Sequence, residues 1–300
     1  MIIAALGLVS LGIAGLALIS FRAAWMVTHP KRGWRPRNWI PSPLQARRIH
    51  FKSKDGTRLV GWSKNHPDPI AIVLCVHGLG TNRTELEWRA YRLFKRGFSV
   101  FLFDFRACGE SEGSVTTSGV REVDDLMAAL DQCKQEPAYG NPPIVALADS
   151  MGGTVTLKAA LTRTEIRAIF TDAAFSSMET AIGWGFTHHT GLPARPFRRA
   201  VVWMAEWMSG EKTSDMSVID LIGQISPRPI HIAHGLADPL VPASDARLLY
   251  KHAGEPKAIW LVHDAGHVVG SFVDPDAYAD RVDRFFRDAL KPGRGVEVVV

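Results

Sequence analysis

The stretch PIVALADSMGG, residues 143–153, is the strongest indication of the fold in this sequence. Its first half is continuously apolar, as expected of a strand that is buried on both faces of a sheet. It continues into ADSMGG, residues 148–153, which fits a small-x-Ser-x-Gly pattern at a turn from a strand into a helix. Such a turn strains the serine backbone and presents its hydroxyl, so its neighbours must be small. We therefore predict that Ser150 is a nucleophile; the alternative is a serine that caps an ordinary helix.

Apolar runs and helical patterns alternate on both sides of this stretch. This alternation predicts a mostly parallel, doubly wound α/β sheet with helices on both faces. The segments that flank Asp55-Gly56 predict a hairpin, and so antiparallel strands at one edge. The alternation pauses at about 174–225, where we predict a helical cap inserted into a domain of residues 48–290. The predicted strands are residues 48–53, 58–64, 70–76, 98–103, 143–148, 166–171, 229–234 and 258–262, and the predicted helices are residues 84–95, 120–135, 152–161, 244–252 and 278–290.

Three further loops follow predicted buried strands, where open α/β sheets place their sites. The first is HGLG, residues 77–80, whose glycines let the backbone approach a substrate. We predict that the backbone amides of Leu79 and Met151 form an oxyanion hole. The other two loops carry Asp238 and His267. The Asp238 carboxylate is expected to orient the imidazole of His267, which acts as general base toward Ser150.

Each of these predictions has a competitor. Asp172, at the end of an earlier predicted strand, is the other candidate acid, and His263 is the other candidate base. The HGLG loop is also compatible with a simple Gly-rich turn, and Asp238 with an Asp-Pro turn residue. The chain order Ser, Asp, His favours the catalytic interpretation of the whole set.

Together these motifs resemble the α/β-hydrolase superfamily. Residues 48–290 are similar to its serine-aminopeptidase-like branch, which includes monoacylglycerol-lipase-like and membrane-anchored bacterial hydrolases. The resemblance is carried by HGLG at 77–80, DFRACGESEG at 104–113, the Ser150 turn, and the loops of Asp238 and His267. The chain departs from the pattern at Ala148, where glycine is common, and at Ala107-Cys108, where members often have Gly-His. The resemblance implies an α/β-hydrolase fold and hydrolysis of an ester, thioester or amide bond without a cofactor.

We therefore expect a serine hydrolase that cleaves carboxylic esters, with thioesters and lipid esters among its candidate substrates, through an acyl-enzyme intermediate. An acyltransferase with the same triad is the alternative, because the choice between water and an alcohol depends on the shape of the pocket. A third hypothesis is a non-catalytic binding protein of the same fold, which the intact Ser150, Asp238 and His267 disfavour.

The predicted cap carries an apolar helical stripe. Its members are Phe197, Val201, Met204 and Met208, with Trp207 beside it. We interpret Met204, Trp207 and Met208 as an acyl-binding wall; the alternative is that the stripe packs the cap onto the body. We also place His77 and Gly78 among the substrate-binding residues.

The N-terminal segment predicts a membrane anchor. Met1 to Phe21 has no charged side chain, and a helix of this length extends about 30 Å, enough to span a bilayer. A cleaved signal peptide is the rival, disfavoured because no Lys or Arg precedes the apolar run. A buried helix of the globular domain is the other alternative, disfavoured by the terminal position and the cations that follow. We assign residues 1–27 to a transmembrane helix, 28–47 to a linker and 291–300 to a tail.

The charges after this segment predict its orientation. They are Arg22, Lys31, Arg32, Arg35 and Arg37. Positive residues favour the cytoplasmic side, so we expect a single-pass membrane protein with the catalytic domain in the cytoplasm. Trp25, Trp34 and Trp39 are placed to lie at the membrane interface.

The composition excludes several classes of function. The net charge of +5 is matched by those five cations, and the rest of the chain has no dense basic run, so we expect no nucleic-acid partner. The three widely spaced cysteines indicate neither a disulfide framework nor a zinc site, and Cys75 is expected to be buried. The His188-His189 and His263/His267 pairs are poor metal sites, so we expect no metal or other cofactor. The sequence leaves the oligomeric state open.

Overall fold

The computed structural model describes residues 2–32, 43–135, 142–268 and 270–291, and eight strands among them form one sheet. Each predicted strand is present, with bounds within two residues of those expected. The strands are β1 (Arg47–Lys52), β2 (Arg58–Lys64), β3 (Ile72–Val76), β4 (Ser99–Phe103), β5 (Ile144–Asp149), β6 (Ile166–Asp172), β7 (Ile230–Gly235) and β8 (Lys257–Val262).

The strand order is β1-β2-β4-β3-β5-β6-β7-β8. The six strands from β3 to β8 pair in parallel, whereas β2 is antiparallel to both β1 and β4. The predicted parallel sheet with an antiparallel edge is therefore confirmed. Because the chain steps from β3 out to β4 and back to β5, the loops after β3 and β5 meet at the carboxyl edge of the sheet.

Helices cover both faces of the sheet. The helices are α1 (Ile2–Thr28), α2 (Glu87–Lys95), α3 (Glu122–Gln135), α4 (Met151–Ala160), α5 (Met178–Thr190), α6 (Ala194–Ser209), α7 (Ala243–His252), α8 (Gly270–Val273) and α9 (Pro275–Leu290). One buried cluster includes residues of α2 and α9, and the other includes residues of α3, α4 and α7. In α9, Tyr278, Val282 and Phe286 recur at helical spacing, and each is almost fully buried. The central strands β3, β4, β5 and β7 are therefore buried on both faces, as their apolar sequences predict.

The segment predicted as the cap contains α5 and α6. Helix α5 begins where the Ser177 hydroxyl accepts a hydrogen bond from the Thr180 amide at 3.2 Å. It ends at Gly191, whose φ of 68° suits glycine. Phe186 of α5 stacks on Phe197 of α6 with their ring centroids 5.0 Å apart, so the two helices pack as a pair.

Helix α1 packs against α6, a contact that the sequence analysis did not predict. Ser20, Ala24 and Thr28 lie four residues apart on one face of α1, and all three are fully buried. The Thr28 hydroxyl lies 3.5 Å from the sulfur of Met208 in α6. Of the residues after α1, 33–42 and 292–300 lie outside the described residues, and with them Trp34, Trp39 and most of the predicted linker and tail.

A buried ion pair joins α2 to the end of β5. The guanidinium of Arg89 donates to both carboxylate oxygens of Asp149, one of them at 2.9 Å, and the Asp149 side chain is fully buried. Tyr278 lies beside this pair and donates its hydroxyl to Asp172 at 3.2 Å. Asp149 directly precedes Ser150, so this cluster fixes the strand that leads into the predicted nucleophile.

We expect Arg89→Met to lower the free energy of unfolding by about 3–5 kcal/mol, because it leaves the Asp149 carboxylate buried without a partner. Denaturant unfolding measures this. The matched control is Arg92→Met on the same helix, whose partner Asp276 is 80% exposed, and its cost should stay below about 1 kcal/mol. Equal losses in the free energy of unfolding for the two variants would contradict a buried Arg89–Asp149 pair whose loss no other group compensates.

Candidate active site

The Ser150 backbone has the strained geometry that the sequence pattern predicts. Between β5 and α4 it adopts φ 49° and ψ −121°, a conformation that is rare for any residue but glycine. Its amide donates to the carbonyl of Asp172 at 2.8 Å. A Cβ on Gly152 would lie 2.4 Å from the His77 carbonyl, so only glycine lets α4 start this close to the loop after β3. Ala148, where glycine is common, is fully buried in β5.

Three predicted residues meet at this turn. The Nε2 atom of His267 lies 3.0 Å from the Ser150 hydroxyl oxygen, and its Nδ1 atom lies 2.8 Å from Oδ2 of Asp238. The other carboxylate oxygen, Oδ1, accepts the backbone amides of Leu240 and Val241 at 2.8 and 2.9 Å. With the proton on Nδ1, the imidazole can accept the Ser150 hydroxyl proton at Nε2.

The competing residues have other partners or positions. The Asp172 carboxylate accepts a hydrogen bond from the Tyr278 hydroxyl, and the Asp172 backbone carbonyl accepts one from the Ser150 amide. His263 is exposed to solvent. The geometry therefore favours Asp238 and His267 over these alternatives.

Gly235 lets the loop that carries Asp238 lie close to the loop that carries His267. A Cβ on Gly235, the last residue of β7, would lie 2.3 Å from the Ala265 carbonyl and 2.4 Å from that of Gly266. The Ala237 amide donates to the same Ala265 carbonyl at 3.0 Å. These backbone contacts hold His267 against the Asp238 loop.

The pair shifts both pKa values toward the charged forms. Burial opposes a charge on His267, but the hydrogen bond to Asp238 and its negative charge raise the pKa of the imidazole above its ordinary value. Burial likewise opposes the charge of Asp238, but the hydrogen bond and charge of His267 and the two backbone amides lower its pKa. The arrangement therefore stabilises a protonated His267 beside an ionised Asp238.

The loop after β3 lies directly over Ser150. A Cβ on Gly78 would lie 3.2 Å from that of Ser150, and the Gly78 amide donates to Glu85 at 3.2 Å. The amide of Leu79 follows on the same loop. Met151 opens α4, so its amide lies at the helix N-terminus, before the regular helical hydrogen bonds begin. Both predicted oxyanion donors thus belong to segments adjoining the serine.

His77 supports this loop from within the protein. It is fully buried, its Nε2 accepts the Phe105 amide at 3.0 Å, and its Nδ1 lies 2.7 Å from the Gly78 carbonyl. Both ring nitrogens are therefore used by the backbone. From the sequence, His77 is expected to bind substrate, but its contacts are those of a residue that positions the loop.

Arg32, which follows α1, forms hydrogen bonds to the loop of residues 104–113. Arg32 donates to the carbonyls of Ser111 and Gly113 at 2.7 and 2.5 Å, and its own carbonyl accepts the Gly109 amide at 2.8 Å. Ala107 in this loop has φ 58°, a conformation that glycine adopts more readily than alanine. The Ala107-Cys108 departure thus affects a turn and leaves the triad unchanged.

The cap residues predicted to bind substrate differ in exposure. Met204 and Met208 are half-buried and pack against the main core, and Met208 also contacts α1. Trp207 is 72% exposed, and therefore lies on the outer side of α6. Trp184 of α5, which the sequence analysis did not name, donates its indole N–H to the Asp238 carbonyl at 3.3 Å. The cap is thereby tied to the acid loop through α5.

A sequence model of the family described as serine aminopeptidase S33, a hydrolase family, matches residues 67–218, which include the HGLG loop and the Ser150 turn. The chain belongs to this family. It is an α/β-hydrolase, as its sequence motifs imply, and its sheet and nucleophile turn agree with that fold.

Two bacterial proteins are similar to this hydrolase over most of its length. It is 30% identical to YfhR of Escherichia coli strain K12 over 261 residues, which covers 84% of each chain. It is 23% identical to YqkD of Bacillus subtilis over 223 residues, covering 73% of this chain and 72% of that relative. Both likenesses extend well beyond the nucleophile motif.

Solved structures support the same fold and a hydrolytic activity. The Pyrococcus furiosus esterase Pf2001 superimposes with a TM-score of 0.70 at 25% identity, covering 86% of the hydrolase and 98% of the esterase. An esterase of Exiguobacterium antarcticum shares the fold with a TM-score of 0.60 at 16% identity, over 80% of the hydrolase and 99% of that chain.

We expect the imidazole of His267 to titrate above about 6.5, its ordinary value, because Asp238 stabilises its charged form. Asp238→Asn should lower this pKa, since it removes the charge and keeps the size of the side chain. NMR of the histidine rings across pH measures both values. The control is Asp264→Asn, an exposed carboxylate three residues from His267, which should leave the His267 titration nearly unchanged. An unshifted His267 in Asp238→Asn would contradict the assigned pair.

Proposed function

We propose that this hydrolase cleaves carboxylic esters through a covalent acyl-enzyme on Ser150. His267 acts as the general base, and the Asp238 carboxylate orients it. One observation carries the proposal: His267 Nε2 lies 3.0 Å from the hydroxyl of a serine with strained backbone, while its Nδ1 faces a buried carboxylate. The esterase neighbours support the choice of an ester bond. Thioesters share the reacting carbonyl and belong to the same proposal.

In the first step His267 takes the proton of the Ser150 hydroxyl as its oxygen attacks the carbonyl carbon. The raised pKa of His267 favours acceptance of this proton, and Asp238 stabilises the cation that forms. The carbonyl electrons move onto its oxygen. The proton on Nε2 then passes to the departing alcohol, and the acyl group remains on Ser150.

The Leu79 and Met151 amides are proposed to bind the oxygen that gains this charge. Each such donor contributes about 3 kcal/mol when it is aimed at the developing oxyanion. The N-terminus of α4 adds a favourable dipole at the same place. Water activated by His267 then attacks the acyl-enzyme, which releases the acid and restores the Ser150 hydroxyl.

We further propose that α1 anchors the enzyme in a membrane. Within the described part of the chain, α1 is the one helix that is long and apolar enough to cross a bilayer. The cations after its apolar run support a catalytic domain on the cytoplasmic side, because positive residues favour that side. Removal of α1 as a signal peptide would take away Ser20, Ala24 and Thr28, the face that packs on the cap.

A fluorophosphonate probe should label the wild-type protein and fail to label Ser150→Ala. The probe forms a covalent bond with an activated serine, and loss of that serine should also reduce kcat on p-nitrophenyl butyrate at least ~10³-fold. The control is Ser177→Ala, which removes the helix cap of α5 and should keep the labelling. Folded wild-type protein that resists the probe would contradict the proposal.

A reporter fused after residue 300 tests the orientation. Green fluorescent protein should fluoresce in bacterial cells, and alkaline phosphatase, which is active only outside the cytoplasm, should stay inactive. Activity of the phosphatase fusion would reverse the proposed orientation. Protein that washes off membranes in alkaline carbonate would contradict the anchor.

A further inference from the structure

The anchor helix is clamped to the cap. Ser20, Ala24 and Thr28 of α1 are buried, while Val201 and Ala205 of α6 are buried at the same four-residue spacing. Small side chains on both faces allow two helix backbones to approach closely. Because α1 and α6 pack as a unit, the position of α1 determines where α6 lies.

The packing of α6 on α1 places α6 close to the bilayer. The part of α1 before Ser20 extends roughly 27 Å, at ~1.5 Å per residue, and so nearly matches the ~30 Å hydrocarbon core. Leu8, Leu11 and Leu18 in this part are each more than 60% exposed. When this part is inserted, the last turns of α1 and the helix clamped to them lie at the headgroup region.

The exposed apolar side chains are distributed unevenly. Sixteen large hydrophobic residues are exposed among the described residues, and all but Trp88 and Leu248 lie on α1, on the cap, on the Asp238 loop, or on α8, which follows the His267 loop. The last group includes Phe272, which is 72% exposed on α8 just after His267. An apolar surface concentrated in this way marks an interaction site and not random exposure.

The outer face of α6 has the residues expected at a membrane surface. Arg199, Trp203 and Trp207 lie four residues apart and are all exposed, with Trp203 at 64% and Trp207 at 72%. Trp25 on the adjacent helix is 49% exposed. Indole rings favour the headgroup region, and arginine pairs with lipid phosphates. Tryptophan beside arginine thus fits a lipid surface.

We infer that α6 is a second membrane contact, which holds the cap in the headgroup region and supplies the active site with esters dissolved in the bilayer. The inference rests on the proposed function and names its substrate class: esters of long-chain lipids. Contacts connect the membrane to the site, because α1 packs on α6, α6 on α5, and Trp184 of α5 on the Asp238 loop. A substrate leaving the bilayer at α6 thus meets the cap beside the triad.

Fluorescence tests the contact itself. Full-length Trp203→Cys carries an NBD label in vesicles of phosphatidylcholine and phosphatidylglycerol, because the native Cys75, Cys108 and Cys133 are buried. Leu248→Cys, 38% exposed on α7, is the control. Phosphatidylcholine brominated on its acyl chains should quench the label at 203 and not at 248. A label at 203 that is not quenched would overturn the inference. An emission that shifts to the blue without being quenched would indicate a protein partner or a second copy in place of lipid, and would overturn it too.

Kinetics test the substrate class. Trp203→Asp should lower hydrolysis of dioleoylglycerol carried in the vesicles by about tenfold, because a carboxylate is unfavourable in the interface. Hydrolysis of soluble p-nitrophenyl butyrate should stay within about twofold, since Trp203 is 64% exposed and substitutions on the surface usually leave the fold intact. Leu248→Asp should change neither rate. Equal rates for wild type and Trp203→Asp on the vesicles would overturn the inference, whereas a wild type inactive on butyrate would overturn the proposed function.

Discussion

The strained backbone turn at Ser150 joins the sheet to α4, and the residues around it must hold it in place. A backbone in this region of φ and ψ costs about 1–3 kcal/mol and persists only where its surroundings hold it. The surroundings here are specific: the Asp172 carbonyl binds the Ser150 amide, and the Arg89–Asp149 ion pair fixes the preceding residue. Gly152 allows α4 to start against the loop after β3. The turn is thus stabilised from the strand, the helix and the neighbouring loop at once.

The parallel sheet explains why distant parts of the sequence meet at this turn. The loops after β3, β5 and β7 leave the same carboxyl edge, and His267 follows β8 at the same edge. Backbone contacts then set the final geometry, because Gly235 admits the carbonyls of Ala265 and Gly266. The charge arrangement follows from this packing. Asp238 is buried with its lone pairs used by His267 and two amides, so the imidazole has a fixed orientation and a raised pKa.

The sequence predicts the parts of this structure that rest on local pattern. Continuous apolar strands, the Ser150 turn and the spacing of Asp238 and His267 all have signatures a few residues long. The role of His77 could not be predicted, because its partner Phe105 is brought near only by the pairing of β3 with β4. The packing of α1 on α6 was missed for the same reason. Its signal was the four-residue spacing of Ser20, Ala24 and Thr28 in an otherwise apolar helix, which only a partner surface makes meaningful.

If Ser150 carries the acyl group during turnover, the acylated enzyme can be trapped and located. The enzyme is mixed with p-nitrophenyl butyrate, quenched in acid within the first turnover, and mapped by peptide mass spectrometry. We expect a burst of p-nitrophenol close to the enzyme concentration, with one butyryl group on the peptide that contains Ser150. Steady turnover with the butyryl group on another residue, or with no acylated peptide under any quench time, would contradict it.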